Sequence, residues 1–138
     1  MLHNRKSRNR YRSFPKDTTC AFCDPNEIKG RIIRETKHAY IIPNRVSYDF
    51  WEAQGVKEHL MVIPKQHVKS LSELPDAHLL DIIKLVAEYE SHDYNVYARA
   101  VRSKTRSVTH QHTHLLKLDH KPARFSLFLR KPYFLLKF

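Results

Sequence analysis

At 138 residues with 41% hydrophobic content, the chain is long enough for one domain with a real core. Its 25 Lys and Arg outnumber 14 Asp and Glu, and the formal net charge of +11 implies attraction to polyanions such as nucleotides, RNA or DNA. No apolar h-region follows the basic N-terminus and no run approaches the length of a membrane span, so a soluble, cytoplasmic protein without a membrane partner is expected, and two cysteines are too few for a secreted disulfide framework.

Residues 1–17 read as a basic arm, with Arg5, Lys6, Arg8, Arg10, Arg12 and Lys16 against Asp17. Its apolar periodicity is poor, and disorder in isolation is the expectation. A globular domain is expected over 18–118, followed by an aromatic and basic extension over 119–138. Cys20-Ala21-Phe22-Cys23 leaves two readings, half of a zinc site or a redox pair. Asp24-Pro25-Asn26 looks like a turn rather than the helix that follows a redox pair, which favours zinc if two further ligands exist.

Arg31–Glu35 and Ala39–Ile42 are short β-type runs separated by Thr36-Lys37-His38, a hairpin signal. A connection over 45–57 contains Trp51 and Gly55, and His59–Ile63 then reads as a buried strand stopped by Pro64. Pro75 and Asp76 suit a helix start. Leu79, Leu80, Ile82, Ile83, Val86 and Tyr89 form an apolar stripe at helical spacing, read as core. Tyr94–Val101 and Thr109–Leu118 are two further strands, joined by a turn carrying Arg102, Lys104 and Arg106. Phe125–Leu129 and Tyr133–Phe138, broken by Arg130-Lys131-Pro132, suggest a terminal hairpin. The order predicts an α+β fold, an antiparallel β-sheet with a covering helix.

Within the last core strand, His110, His112 and His114 recur at every second residue. Alternate residues of a strand face one surface, so the three imidazoles would project together. Imidazole can act as nucleophile, acid, base or metal ligand near neutral pH. If Cys20 and Cys23 take two ligand positions, one triad histidine and another histidine could complete a Cys2His2 site, leaving two triad histidines for chemistry. His59 and His67, at the start and just past the end of the buried strand, are the other informative imidazoles. His3, His38, His78, His92 and His120 are assigned to the surface or to local hydrogen bonds.

His110-x-His112-x-His114-Leu115-Leu116 resembles the signature of the histidine-triad (HIT) superfamily of nucleotide hydrolases and transferases. The resemblance extends to Cys20-x-Phe22-Cys23, to His59-Leu-Met-Val-Ile-Pro-Lys-x-His67 and to Ser107-Val108, four blocks in the family's order. It implies that His112 is the nucleophile, His114 a donor to the phosphate, His59 a phosphate-placing neighbour and Ser107 a contact to the leaving group. It also implies that Asn44 binds the ribose, that Phe22 and Ile42 wall the base, and that Cys20, Cys23, His67 and His110 hold a structural Zn2+. Homodimers through the helix and the following strand are common among such proteins, and residues 76–101 are compatible with one.

The chain departs from the family pattern at Glu58, before His59, and at Gln111 and Thr113, between the histidines. Arg99–Arg106 replaces a glycine-containing turn, which makes a longer anionic leaving group plausible. The leading reading is a nucleotide hydrolase or transferase that cleaves a nucleoside monophosphate, AMP by expectation, from a phosphoramidate, a dinucleoside polyphosphate or an adenylylated substrate. A nucleic-acid-binding protein on the same fold, using the basic arm and tail and acting on adenylylated ends, is the second reading. A redox protein using Cys20 and Cys23 is the third.

Overall fold

The computed structural model describes residues 3–14 and 19–138; the remainder of the basic arm, including Lys16 and Asp17, lies outside the described residues. The elements run α1 (Arg5–Ser13), α2 (Pro25–Ile28), β1 (Arg34–Glu35), β2 (Ala39–Pro43), β3 (Phe50–Trp51), β4 (Gln54–Pro64), a 3-10 turn (Leu71–Glu73), α3 (Asp76–Ser91), β5 (Tyr94–Tyr97), β6 (Thr113–Leu118), β7 (Ser126–Leu129) and β8 (Phe134–Lys137). Strands β1-β2-β4-β6-β5 form one antiparallel sheet, β3 pairs with β4, and β7-β8 is a separate hairpin. This is the expected α+β fold, an antiparallel sheet covered by a helix.

The period-two alternation of β2, β4 and β6 divides the core between the two faces of the sheet. Ala39, Ile41, Leu60, Val62 and Leu115 pack beneath Ile82 and Leu85 of α3. Tyr40, Ile42, Met61 and Ile63 point the other way and meet Phe22. Leu116 and Leu118 share that second face with Tyr48. Met61 is paired with His114 and His59 with Leu116, so the histidines stand on the face away from α3. Burying each large aliphatic side chain contributes about 1.5–3 kcal/mol, and β4 and β6 carry much of the buried core.

Several elements differ from the sequence reading. Residues 5–13 of the arm form α1, because Asn4 caps it by accepting from the Ser7 amide at 2.9 Å and Asp49 anchors it, accepting from the Asn4 amide at 2.7 Å and from Ser7 Oγ at 3.1 Å. The helix stripe is narrower than expected: Ile82 and Leu85 are buried, whereas Leu80 and Ile83 are 55% and 47% exposed on the opposite face. The connection over 45–57 contains β3 and the beginning of β4. Their two-residue turn, Glu52-Ala53, has both residues at positive φ (49° and 60°), the geometry of a tight hairpin without the usual Asn or Gly. Glu58 turns to the face opposite His59, where it accepts from Tyr94 Oη at 2.7 Å, while the Asp49 carboxylate lies 3.8 Å from His3 Nδ1.

Candidate active site and metal centre

Only His114 of the triad lies in a strand; His110 and His112 precede β6. Their segment is held by specific clamps rather than by a full strand ladder. The Gln111 amide donates to the Val68 carbonyl at 2.7 Å. The Arg106 guanidinium donates to the carbonyls of Lys69, Val108 and Thr109 at 2.7, 3.1 and 2.7 Å. Gln111 and Thr113 do turn away from the histidines but are buried, with Gln111 Nε2 donating to Thr113 Oγ1 at 3.1 Å, so this face is packed rather than loose.

Backbone groups decide the tautomer of each buried imidazole, because a carbonyl can only accept and an amide N–H can only donate. His110 Nε2 donates to the Pro64 carbonyl at 2.9 Å, leaving its Nδ1 lone pair free. His112 Nδ1 donates to the His110 carbonyl at 2.8 Å, leaving Nε2 free. His59 Nδ1 accepts from the Tyr48 amide at 3.0 Å, so its proton sits on Nε2 and is donated to His114 Nδ1 at 2.8 Å. That bond forces the His114 proton onto Nε2, which is buried and has no hydrogen-bond partner. The result is a free lone pair and a free N–H on rings 5.0 Å apart, a pair that can attack an electrophile and donate to the oxygen on it.

All three reactive-face histidines are held neutral. Burial first, then the repulsion of neighbouring imidazoles, pushes His59 down to about 3 and His114 down to about 2, with Arg99 adding to the latter. Burial also lowers His112, opposed by its bond to the His110 carbonyl and reinforced by Arg106 and Arg99.

Cys20, Cys23, His67 and His110 converge at a second centre, their ligand atoms all within 4.8 Å of one another. His110 Nδ1 is 3.5 Å from both sulfurs and His67 Nδ1 is 3.2 Å from Cys23 Sγ. A tetrahedral ion with bonds of about 2.0–2.3 Å separates its ligand atoms by roughly 3.3–3.8 Å, so the cluster is of the right size to hold a metal ion. The open nitrogen of His110 is the one that faces the thiols. Burial, and the adjacent Cys20 after it, push the Cys23 thiol up to about 11. The Tyr40 hydroxyl donates to the Phe22 carbonyl and ties the cysteine loop to the sheet.

The family model for the HIT domain matches residues 26–121. The chain belongs to the HIT family. Members of this family are hydrolases acting on phosphoanhydride or phosphoramidate bonds. The chain is 31% identical over 111 residues to the adenosine 5'-monophosphoramidase of Candida albicans and 34% identical over 113 residues to that of Saccharomyces cerevisiae. These matches cover 71% and 76% of this chain and 69% and 66% of those proteins. Among solved structures, a histidine triad nucleotide-binding protein from Candida albicans aligns with TM-score 0.53 at 27% identity, covering 73% of this chain and 76% of that one. A HIT family hydrolase from Clostridium thermocellum aligns with TM-score 0.54 at 23% identity over 79% of this chain and 99% of that one, a likeness of fold.

The other expected site residues fall into two groups around the HIT core. Asn44 is at the site, its side-chain amide 3.1 Å from His59 Nε2 and its Oδ1 accepting from the Val46 amide at 3.2 Å. Phe22 packs edge-on against His112, ring centroids 5.4 Å apart. Ile42 is fully buried behind Phe22, so it supports the wall of a pocket rather than presenting a surface to it. Ser107 lies exposed on the loop before the triad, with no hydrogen bond to the histidines among the described residues.

Four HIT-domain residues at the site were not anticipated from sequence. The ring of Tyr48 lies 4.2 Å from that of His59 and stacks on His114 at 5.5 Å; Tyr97 also stacks on His114, at 4.9 Å. Trp51 contacts both tyrosines. Arg99 donates to Tyr48 Oη at 3.2 Å and lies over the Tyr97 ring at 5.3 Å. The alternation of Tyr97 with Arg99 after β5 was the available signal, since it places both on one side of an extended chain. His3 is also drawn in, its ring edge-on to Tyr48 at 5.5 Å, rather than free on the surface.

Proposed function

We infer that the chain is a zinc-stabilised nucleotide hydrolase or transferase that releases AMP through a nucleotidyl-histidine intermediate. The observation that carries this reading is the tautomer relay, in which His112 Nε2 keeps a lone pair beside the unpartnered Nε2–H of His114. His112 Nε2 attacks the α-phosphorus and forms an N–P bond as the bond to the leaving group breaks. The leaving group departs with the electron pair and takes up a proton from solvent, which is returned when water attacks in the second step. The imidazolium created at His112 is stabilised by its Nδ1–H bond to the His110 carbonyl, and His114 Nε2 donates to the phosphoryl oxygen. Water then attacks phosphorus, the N–P bond breaks, AMP leaves and neutral His112 is restored.

In this reading His59 orients His114, Asn44 takes the ribose hydroxyls, and Phe22 backed by Ile42 walls the base. Ser107 reaches the leaving group from its exposed loop. A zinc ion held by Cys20, Cys23, His67 and His110 supplies a structural crosslink between the cysteine loop and the triad. The adenosine phosphoramidate chemistry named for the two yeast relatives favours a phosphoramidate substrate. Arg99 favours an anionic leaving group, as in a dinucleoside polyphosphate or an adenylylated substrate. Free thiols and a zinc site suit the reducing cytoplasm. The described residues contain no helix long and apolar enough to cross a membrane. A homodimer through α3 and edge strand β5 would cover Leu80, Ile83 and Val96, which are exposed in the single chain. The division into arm, HIT domain over 18–118 and C-terminal extension completes the proposal.

AMP release from an adenosine phosphoramidate and from a diadenosine polyphosphate, comparing wild type with His112→Ala, tests it. Turnover that vanishes in the variant sustains the reading, and no turnover of either substrate by folded, zinc-loaded wild type overturns it. The second reading, a nucleic-acid-binding protein on the HIT fold, is favoured by α1 and the β7–β8 hairpin, which combine Lys and Arg with the exposed rings of Tyr11, Phe128 and Phe134.

A further inference from the structure

We propose that the cleft between α1 and the β7–β8 hairpin is a binding site for a single-stranded polynucleotide, a proposal that deepens the second reading above. The cleft encloses about 350 Å³ and is lined by Asn4, Arg5, Phe50, Tyr133, Phe134 and Lys137. That volume lies within the range of small-ligand pockets, roughly 300–1,000 Å³. α1 and β7–β8 both lie outside the matched HIT domain, yet they are built against one another. The Tyr133 hydroxyl donates to the His3 carbonyl, and the Arg8 guanidinium lies 4.0 Å above the Tyr133 ring. The Lys137 ammonium sits 4.5 Å from the centre of Phe50.

The chemistry of this lining selects the occupant. Arg5 and Lys137 are the cations of the lining itself, and the two segments that bound the cleft, α1 and residues 121–138, are rich in Lys and Arg and contain no Asp or Glu. The nearby carboxylate of Asp49 is engaged by the Asn4 amide and Ser7 Oγ. Cations for phosphates, interleaved with aromatic faces for bases, are what an unpaired strand requires; a duplex hides its bases and offers nothing to Phe50, Tyr133 and Phe134. Phe50 is separated from Tyr48, the aromatic neighbour of His59 and His114, by one residue. A strand in the cleft therefore lies beside the histidine site.

Fluorescence anisotropy of the full zinc-loaded chain with labelled oligo-dT and oligo-U of about twelve nucleotides tests the site, against a duplex of equal length and anionic phosphatidylserine vesicles. Single strands are expected to bind more tightly than the duplex and to weaken between about 50 and 200 mM salt. Phe134→Ala should cost about tenfold through lost stacking. Arg5→Ala with Lys137→Ala should cost about tenfold or more and flatten the salt dependence. None of these variants should change AMP release from a small adenosine substrate. Duplex binding as tight as single-strand binding, indifference to Phe134→Ala, or binding of vesicles but not oligonucleotides would overturn the proposal. Oligonucleotide binding with the stated effects sustains it even if no small substrate turns over, so its failure and that of the hydrolase reading are separable.

Discussion

His110 and His112 are two residues apart, of the same type and both buried, yet they present opposite ring nitrogens to opposite centres. In His110 the Pro64 carbonyl takes Nε2–H and leaves Nδ1 open toward two thiols. In His112 the His110 carbonyl takes Nδ1–H and leaves Nε2 open beside His114. The lesson is that imidazole acquires its role from the acceptor assigned to its other nitrogen. The two centres are also coupled, because the carbonyl that orients His112 belongs to His110.

The sharpest way to break this comparison is to remove each histidine in turn. His112→Ala should lower kcat by about ten-thousand-fold with the fold and metal content intact, measured as AMP release beside a metal assay and circular dichroism. Retention of more than a tenth of wild-type turnover would sink His112 as the nucleophile. Cys20→Ser should act on the other centre, lowering bound zinc to well below one per chain and Tm by about 10 °C or more. Its effect on kcat should be the smaller of the two, because the His112–His110 bond is made by backbone. A Cys20→Ser protein with unchanged metal content and Tm would remove the metal assignment.

Substrate choice sharpens the contrast further. Arg99→Ala should reduce kcat/KM for a diadenosine polyphosphate about tenfold, and for a neutral-amine phosphoramidate several-fold less, as expected when one charge-assisted contact is lost. Equal losses on the two substrates would mean that Arg99 only supports Tyr48 and Tyr97.

A last contrast concerns pH. His59 and His114 titrate at about 3 and about 2 in the folded chain, against 6.5 when unfolded. Between those values the unfolded chain binds more protons, so the stability they contribute is present above about pH 6.5 and is lost as pH falls below it. The slope is about 1.4 kcal/mol per pH unit for each proton taken up on unfolding. Urea denaturation at several pH values between 7.5 and 4.5 reads it directly. His59→Gln should flatten the slope, and an identical slope in that variant would exclude His59 as a contributor.

Much of the fold was legible because local signals and burial agree. β2 matches the run from Ala39, α3 begins at Asp76 as its flanking proline suggested, and the terminal hairpin forms where two aromatic runs flank Arg130-Lys131-Pro132. Other parts depended on distant partners. α1 is anchored by Asp49, thirty-six residues beyond its last residue, Ser13. The β3–β4 turn runs through Glu52-Ala53, whose positive φ angles no composition rule would assign to those residues. Leu80 and Ile83 share helical spacing with core positions, but the sheet is wide enough to cover only the Ile82 and Leu85 side of α3. The His110–His112 segment keeps its alternation without being a strand because Arg106 and Val68 hold it from outside.

The sequence by itself determined which chemical groups the molecule owns and their order along the chain: a histidine at every second position, a cysteine pair, a buried strand between His59 and His67, and an excess of positive charge. Tertiary structure decided what those groups can do. The carbonyls of Pro64 and His110 and the amide of Tyr48, none distinguishable from other backbone groups in a sequence, choose the tautomers and so decide which open nitrogen faces the cysteines and which lies beside His114. It also brought Arg99, Tyr48 and Tyr97 around His114, because contacts between segments dozens of residues apart exist only once the sheet has formed.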